Sequence, residues 1–156
     1  MQKLLRVPYY KQPSDHTCAP TALKMLLEFW GVMRSVEFLS ELCETSVETG
    51  TPTDNIVTAA KKEAFVVQAS TNNSLSDITA SIDSGAPILI NYIEAKSGEG
   101  HLALCVGYDD LHIIVHDPEY GPNFQISHEY LAANWRSGFE DKQRWMMSVR
   151  PATTLL

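Results

Sequence analysis

The sequence contains a cysteine whose position favours nucleophilic chemistry. Cys18 opens an amphipathic segment, so its sulfur is expected at the N-terminus of a helix. There the helix dipole and the unpaired backbone N–H groups favour the thiolate, which is the reactive form of cysteine. A lone cysteine at the start of a helix is more often a small buried hydrophobe, so Cys18 needs a partner before it predicts catalysis.

A histidine and an aspartate are the candidates for that partner. His101 follows the turn 98–100 and opens an apolar strand, and Asp117 ends the next strand. A hairpin turn at 109–110 would put residue 101 opposite residue 117 or 118, so the two side chains are expected to be neighbours. A carboxylate that binds one imidazole nitrogen turns the other toward the sulfur, which makes a Cys-His-Asp triad. The alternatives are that His101 is a surface residue and that Asp117 only initiates a turn. The turn role does not explain why Asp117 falls opposite His101 in the expected strand pairing.

An acyl-transfer site also needs hydrogen-bond donors for the negative charge that develops on the carbonyl oxygen. The backbone N–H of Cys18 is one such donor, because it lies at the expected helix N-terminus. Gln12, six residues earlier in the chain, is the candidate for the second. A glutamine in a surface loop is common, so this hypothesis depends on the loop folding back over the sulfur.

Local patterns predict the helices that position these residues. After Cys18 apolar residues recur at helical spacing, Pro20 suits a first turn, and Gly31 suits the position past the end. Further helices are predicted over 35–43 with Ser35 as N-cap, over 53–63 with Thr53 or Asp54 as N-cap, over 74–85 with a Ser74–Asp77 capping box before Gly85, and over 127–134.

The strands are predicted mainly in the second half of the chain. Helices first and antiparallel strands second predict an α+β domain with the helices packed to one side of a sheet. The length of 156 residues, without repeats or linkers, predicts one domain over 1–156. The β-branched or aromatic runs bounded by turn residues are 64–70, 87–93, 101–109, 112–117 and 144–150.

The composition excludes several classes of function. Hydrophobic residues make up 44% and charged residues 20%, which is typical of a globular protein. A net charge of −7 without a basic cluster argues against nucleic acid as a partner. No apolar run is long enough to span a membrane, and no signal peptide precedes Pro8. The three cysteines are too few and odd in number for a disulfide framework, so a cytoplasmic location is expected.

A zinc site is the sharpest alternative from another class. His101, Cys105, His112 and His116 form two pairs whose members are four residues apart. That spacing brings ligands together on a helix, whereas on a strand it separates them by roughly 13 Å. These segments are predicted strands, so Cys105 is better interpreted as a core residue, and Cys43 as a buried helix residue. The sequence therefore predicts no metal and no cofactor.

The order of these motifs resembles a known family. Gln12 and Cys18 precede the segment TALKMLLEFWG, and GHLALCVGYDD and VHDPEYG follow with His101 and Asp117. The sequence is similar to the bacteriocin-processing, double-glycine leader cysteine peptidases and their stand-alone relatives, which are papain-like. That resemblance implies a papain-like fold and hydrolysis of a peptide or protein substrate. It implies Cys18 as nucleophile, His101 as general base and acid, Asp117 as orienting carboxylate and Gln12 as oxyanion-hole amide.

The sequence departs from this family in two respects. Members typically have glycine directly after the cysteine, where this chain has Ala19, whose methyl group would narrow the cleft. The leader-processing members usually precede a membrane transporter, and none follows Leu156, so the leader substrate is not inherited with the fold.

Two other functions use the same residues or the same cleft. A thiol acyltransferase, transglutaminase-like or phytochelatin-synthase-like, would pass the acyl group to an amine instead of water. A peptide-binding module would hold a peptide without cleaving it, although the presence of every triad member counts against it.

Overall fold

In the computed structural model residues 2–152 are described. Residue 1 and residues 153–156, at the two ends of the predicted domain, lie outside the described residues. In chain order the elements are β1 (Lys3–Leu4), α1 (Cys18–Phe29), α2 (Val36–Leu42), α3 (Thr53–Lys62), β2 (Phe65–Ser70), α4 (Leu75–Asp83), β3 (Ile88–Ile93), β4 (Gly100–Tyr108), β5 (His112–Asp117), β6 (Gly121–Ser127), α5 (His128–Asn134) and β7 (Met146–Pro151).

The strands form one antiparallel sheet, which confirms the predicted α+β class. The order across the sheet is β2-β7-β3-β4-β5-β6, with β1 added beside β4. Every residue of β3 is buried, as are all residues of β4 except its two ends. Both faces of the sheet are therefore buried at its centre. Among residues 2–152 no helix is long and apolar enough to cross a bilayer.

The helices cover both faces of the sheet, so the predicted one-sided packing is wrong. Side chains from α1, α2 and α3 form one buried cluster with Leu89, Leu102 and Leu104. Side chains from α4 and α5 form a second cluster with the intervening strand residues Ile90 and Ala103. Because successive strand residues point to opposite faces, a strand that is buried throughout needs cover on both sides.

Most helix ends follow the predicted caps. Gly31, with φ of 92°, lies just past α1. The Ser35 hydroxyl accepts from the N–H of Phe38 at the start of α2, and Ser74 and Asp77 form the capping box of α4. The caps predicted for α3 are wrong, because Pro52 is its N-cap and both Thr53 and Asp54 are helical.

Two strands have no counterpart in the sequence prediction. β1 comprises two residues, too few for a pattern. β6 pairs with β5 although it begins with Gly121, Pro122 and Asn123, which are typical turn residues. Its position at the sheet edge explains this difference, because an edge strand tolerates a proline that a central strand would reject.

Candidate active site

Cys18 is the first residue of α1, as predicted, and the helix start beside it is uncapped. Thr17 is the N-cap residue, but its hydroxyl donates to the carbonyl of Ser14 at 2.8 Å and makes no cap hydrogen bond to the helix. Pro20 has no N–H to offer. The first-turn N–H groups next to the sulfur are thus left available to a bound oxyanion.

His101 and Asp117 are in direct contact. Nε2 of His101 lies 2.7 Å from Oδ1 of Asp117, and both side chains are buried. Leu104 pairs with His116, and continuing that register places Asp117 opposite residue 103, so His101 reaches it diagonally. The direct pairing predicted from a turn at 109–110 is therefore not found. The Asp109 N–H donates to the His112 carbonyl, so the turn lies one residue later than predicted. A bulge between Cys105 and Gly107 then shifts the pairing of β4 with β5.

The Asp117 carboxylate has further partners that fix its orientation. Oδ2 accepts from the Tyr92 hydroxyl at 2.6 Å, and Oδ1 accepts from the N–H groups of Glu119 and Tyr120 at 2.9 and 3.0 Å. Burial by itself raises the pKa of Asp117, but the hydrogen bond and charge of His101 and the other donors hold it below its usual range. The carboxylate is thus ionised at neutral pH and carries the charge that an imidazolium needs.

Sequence reasoning missed Tyr92. This residue pairs directly with His101 between β3 and β4, and burial and the Asp117 charge raise its pKa, so its hydroxyl stays a donor. The signal was available in principle, because an antiparallel pairing of 87–93 with 101–109 places a tyrosine beside the histidine.

The Cys18 sulfur and the Asp117 carboxylate both act on the His101 ring. Burial by itself lowers the pKa of His101, but the hydrogen bond with Asp117, the nearby Cys18 sulfur and the charge of Asp117 raise it to about 10. Nε2 is used by Asp117, which leaves Nδ1 for the sulfur. The ring is therefore an imidazolium at neutral pH, and it lies between a carboxylate and a cysteine sulfur.

Gln12 is buried in the loop that precedes α1. Its Nε2 donates to the carbonyl of Ser14 at 2.9 Å, and its backbone N–H donates to the carbonyl of Pro118 at 2.8 Å. The second bond joins this loop to the turn that follows Asp117. Gln12 is not among the described residues that line the cleft at Cys18. One Nε2 hydrogen remains beyond the bond to Ser14.

An open cleft of about 900 Å³ contains Cys18 and His101. One wall is formed by residues 47–51 and 136–140, which carry the exposed apolar side chains Val47 and Phe139. The Glu140 carboxylate joins the second segment to the start of α3, because it accepts from the Thr53 N–H at 3.1 and 3.2 Å. Gly100 and Gly138 touch through their backbones, since a Cβ on Gly100 would lie 2.7 Å from the nitrogen of Gly138.

The four residues of the zinc alternative have separate surroundings. His112 contacts Asp109 at 3.0 Å, Nε2 of His116 lies 2.8 Å from the carbonyl of Val7, and Cys105 is in the core. Within the described part of the chain, no three His, Cys, Asp or Glu side chains are grouped so that they could hold a metal ion.

Three solved structures with a similar fold are described as peptidases or proteases. The peptidase domain of Streptococcus ComA, a bifunctional ABC transporter involved in a quorum sensing pathway, is 23% identical, with a TM-score of 0.74 over 96% of this chain and 98% of that domain. A Bacillus anthracis protein described as a C39-like peptidase is 16% identical, with a TM-score of 0.79 over 99% of this chain and 100% of that chain. A double-glycine motif protease from an AMS/PCAT transporter, solved with its leader peptide, is 16% identical, with a TM-score of 0.73 over 97% and 99%.

These likenesses confirm the papain-like α+β fold that the sequence predicts. A comparison with curated proteins gives no match. The profile of the Peptidase_C39 like family matches residues 4–150, which is nearly the whole chain. The chain therefore belongs to the Peptidase_C39 like family.

Proposed function

We propose that this protein is a cysteine peptidase that hydrolyses a peptide bond with Cys18 as its nucleophile. The observation that carries the proposal is the His101 ring, which is hydrogen-bonded to the Asp117 carboxylate at 2.7 Å and interacts with the Cys18 sulfur. A charged, buried imidazole between a carboxylate and a thiol at a helix N-terminus is the arrangement that activates a thiol for acyl chemistry.

In the first half-reaction the Cys18 thiolate attacks the carbonyl carbon of the scissile peptide bond. The electron pair of the C=O bond moves to oxygen, and the Cys18 N–H at the uncapped helix start stabilises that oxyanion. His101 then gives a proton to the leaving nitrogen, the C–N bond breaks, and the amine product departs. A thioester between the Cys18 sulfur and the acyl part of the peptide remains.

In the second half-reaction water hydrolyses the thioester. Neutral His101 takes a proton from the attacking water, and the new oxyanion collapses to a carboxylic acid as the C–S bond breaks. The thiolate and imidazolium are thereby restored. Asp117 orients the ring and stabilises its positive charge throughout without accepting the proton itself.

Gln12 is the proposed second oxyanion donor. Its loop is fixed on one side by the bond to Ser14 and on the other by the bond to Pro118, so the amide is held in place before substrate arrives. The remaining Nε2 hydrogen is the one available for this role.

The proposed substrate is a peptide or a protein segment. One structurally similar protease was solved with a leader peptide, and this chain offers an open cleft of a size suited to an extended peptide. All three cysteines are free, and Cys18 must stay reduced to act as nucleophile, so we place the activity in a reducing compartment such as the cytoplasm.

A library of internally quenched peptides, with and without a Gly-Gly pair, tests this function. The wild-type chain should cleave members of the library, and Cys18→Ala or His101→Ala should lower kcat/KM by ~10³-fold or more. His112→Ala is the matched control, because His112 also contacts an aspartate but lies at the opposite end of the β4–β5 hairpin. Absence of turnover by the wild type, or full activity of Cys18→Ala, would contradict the proposal.

A further inference from the structure

One polar side chain in the cleft has no role in the chemistry described above. Asn91 lies in β3, where it pairs with Leu102 and precedes Tyr92, the partner of His101. Asn91 is among the residues that line the same cleft as Cys18 and His101, and 2% of it is exposed.

Both polar atoms of the Asn91 carboxamide lack a hydrogen-bond partner among the described residues. Buried polar groups are nearly always paired, because leaving a donor or acceptor unpaired costs its lost hydration. On the same face of β3 the neighbouring side chain Leu89 is aliphatic and is packed in the core. An aliphatic residue at position 91 would avoid the cost, so the asparagine indicates a partner that arrives from outside the protein.

Most other buried polar atoms that lack a hydrogen-bond partner lie away from the cleft at Cys18. They occur in Thr21, Glu28, Trp30 and His128, none of which lines the cleft at Cys18. Gln12 Oε1 is a further case, but its amide nitrogen is already bonded to Ser14. Asn91 is thus the residue at this cleft, within the described chain, whose donor and acceptor are both unpaired.

We propose that the Asn91 carboxamide binds the main chain of the peptide substrate, an inference that rests on the peptidase activity proposed above. A carboxamide presents an acceptor and a donor side by side, which is the complement of the N–H and C=O that one residue of an extended peptide offers on the same side. Such a pairing does not depend on the side chain at that position of the substrate. Asn91 therefore aligns the peptide relative to Cys18 and His101, and it recognises the backbone and not the sequence.

Asn91→Leu separates this role from a structural one, because leucine has a similar size and no polar atoms. With the library peptide that the wild type cleaves fastest, we expect KM to rise by ~10-fold or more, because both hydrogen bonds of the carboxamide are lost, with kcat changed less than about twofold. The melting temperature should stay the same or rise, since the unpaired carboxamide is gone. The matched control is Asn55→Leu, which removes a carboxamide bonded to the Cys43 carbonyl at 2.9 Å and should lower the melting temperature without changing KM.

N-methylation of the substrate identifies the contact directly. Successive amides of that peptide are methylated one at a time. At one position methylation should raise KM for the wild type and leave KM of Asn91→Leu unchanged, because that variant has already lost the hydrogen bond to the substrate amide. An unchanged KM for Asn91→Leu, a raised KM with a lowered melting temperature, or methylation effects that add to the substitution at every position would each overturn the inference. Absence of wild-type turnover would instead contradict the peptidase function itself, and this inference with it.

Discussion

The reactivity of the three thiols follows from their surroundings. Cys18 is partly exposed and interacts with His101, whereas Cys43 and Cys105 are buried. Burial raises the pKa of Cys43 to about 12 and raises that of Cys105 as well. We therefore expect iodoacetamide at mildly acidic pH to modify Cys18 first, as mapped by mass spectrometry of the digested protein. Earlier modification of Cys43 or Cys105 would contradict the assignment of the nucleophile.

The Asp117 carboxylate determines the pH above which the imidazolium is lost. In the proposed mechanism His101 must be protonated to deliver a proton to the leaving nitrogen, so activity should fall as pH rises through its pKa of about 10. The hydrogen bond and charge of Asp117 both raise that pKa, so Asp117→Asn should shift the alkaline limb of the kcat/KM profile to lower pH. We also expect kcat to fall by at least ~10-fold, because the ring loses its orienting partner.

The control for this pH profile is Asp109→Asn, which alters the aspartate beside His112 and leaves the site intact. Its alkaline limb should coincide with that of the wild type. The role given to Asp117 is wrong if Asp117→Asn shows the wild-type limb as well.

The proposed role of Gln12 in the oxyanion hole predicts a loss in kcat. Gln12→Ala should lower kcat by ~100-fold, about 3 kcal/mol, with little change in KM, because a preorganised donor acts mainly in the transition state. The measurement is steady-state kinetics together with the melting temperature. If the melting temperature falls while kcat stays intact, Gln12 only braces its loop through Ser14 and Pro118.

At the scale of elements, the wall of the cleft depends on a helix cap supplied from a distant segment. Glu140 accepts from the N–H and the hydroxyl of Thr53 at the start of α3. Glu140→Ala should lower the free energy of unfolding by about 1 kcal/mol, the typical cost of a lost N-cap. The neighbouring Asp141→Ala, at an exposed position, should cost about 0.5 kcal/mol or less in the same denaturant titration. Equal losses for the two variants would contradict the capping role.

The elements that could be predicted from the sequence are those whose signals are local. α1 and α4 were predicted because glycine, proline and a capping box mark their ends within a few residues. The cap of α3 could not be predicted, because Glu140 is far from Thr53 in the chain. β6 was missed because its turn residues contradict the strand it forms when β5 supplies the hydrogen bonds.

The same division between local and distant signals applies to the site. His101 and Asp117 were predicted as neighbours because one hairpin joins their strands, and the structure brings them together despite a different register. Tyr92 is placed beside His101 by the pairing of β3 with β4, and Asn91 is distinguished by a side chain that has no hydrogen-bond partner among the described residues. Neither feature is apparent from residue types alone.

For the whole molecule, the fold brings together groups that belong to three separate elements. α1 packs on β4 through a shared apolar cluster, which places Cys18 at the end of a helix fixed against the strand of His101. Asp117 follows on β5, and Gln12 joins the loop before α1 to the turn after β5. The proposed catalytic arrangement thus exists only in the folded chain, and a sheet covered on both faces gives it a rigid support.

The most direct test of the central claim is the hydrolysis of the best library peptide in ¹⁸O-labelled water, followed by mass spectrometry of the products. The wild type should give two fragments, with one ¹⁸O atom in the new carboxylate of the N-terminal fragment, since water resolves the Cys18 thioester. Cys18→Ala should give neither fragment. An intact peptide after incubation with the wild type, or equal cleavage by Cys18→Ala, would contradict the claim that Cys18 drives peptide hydrolysis.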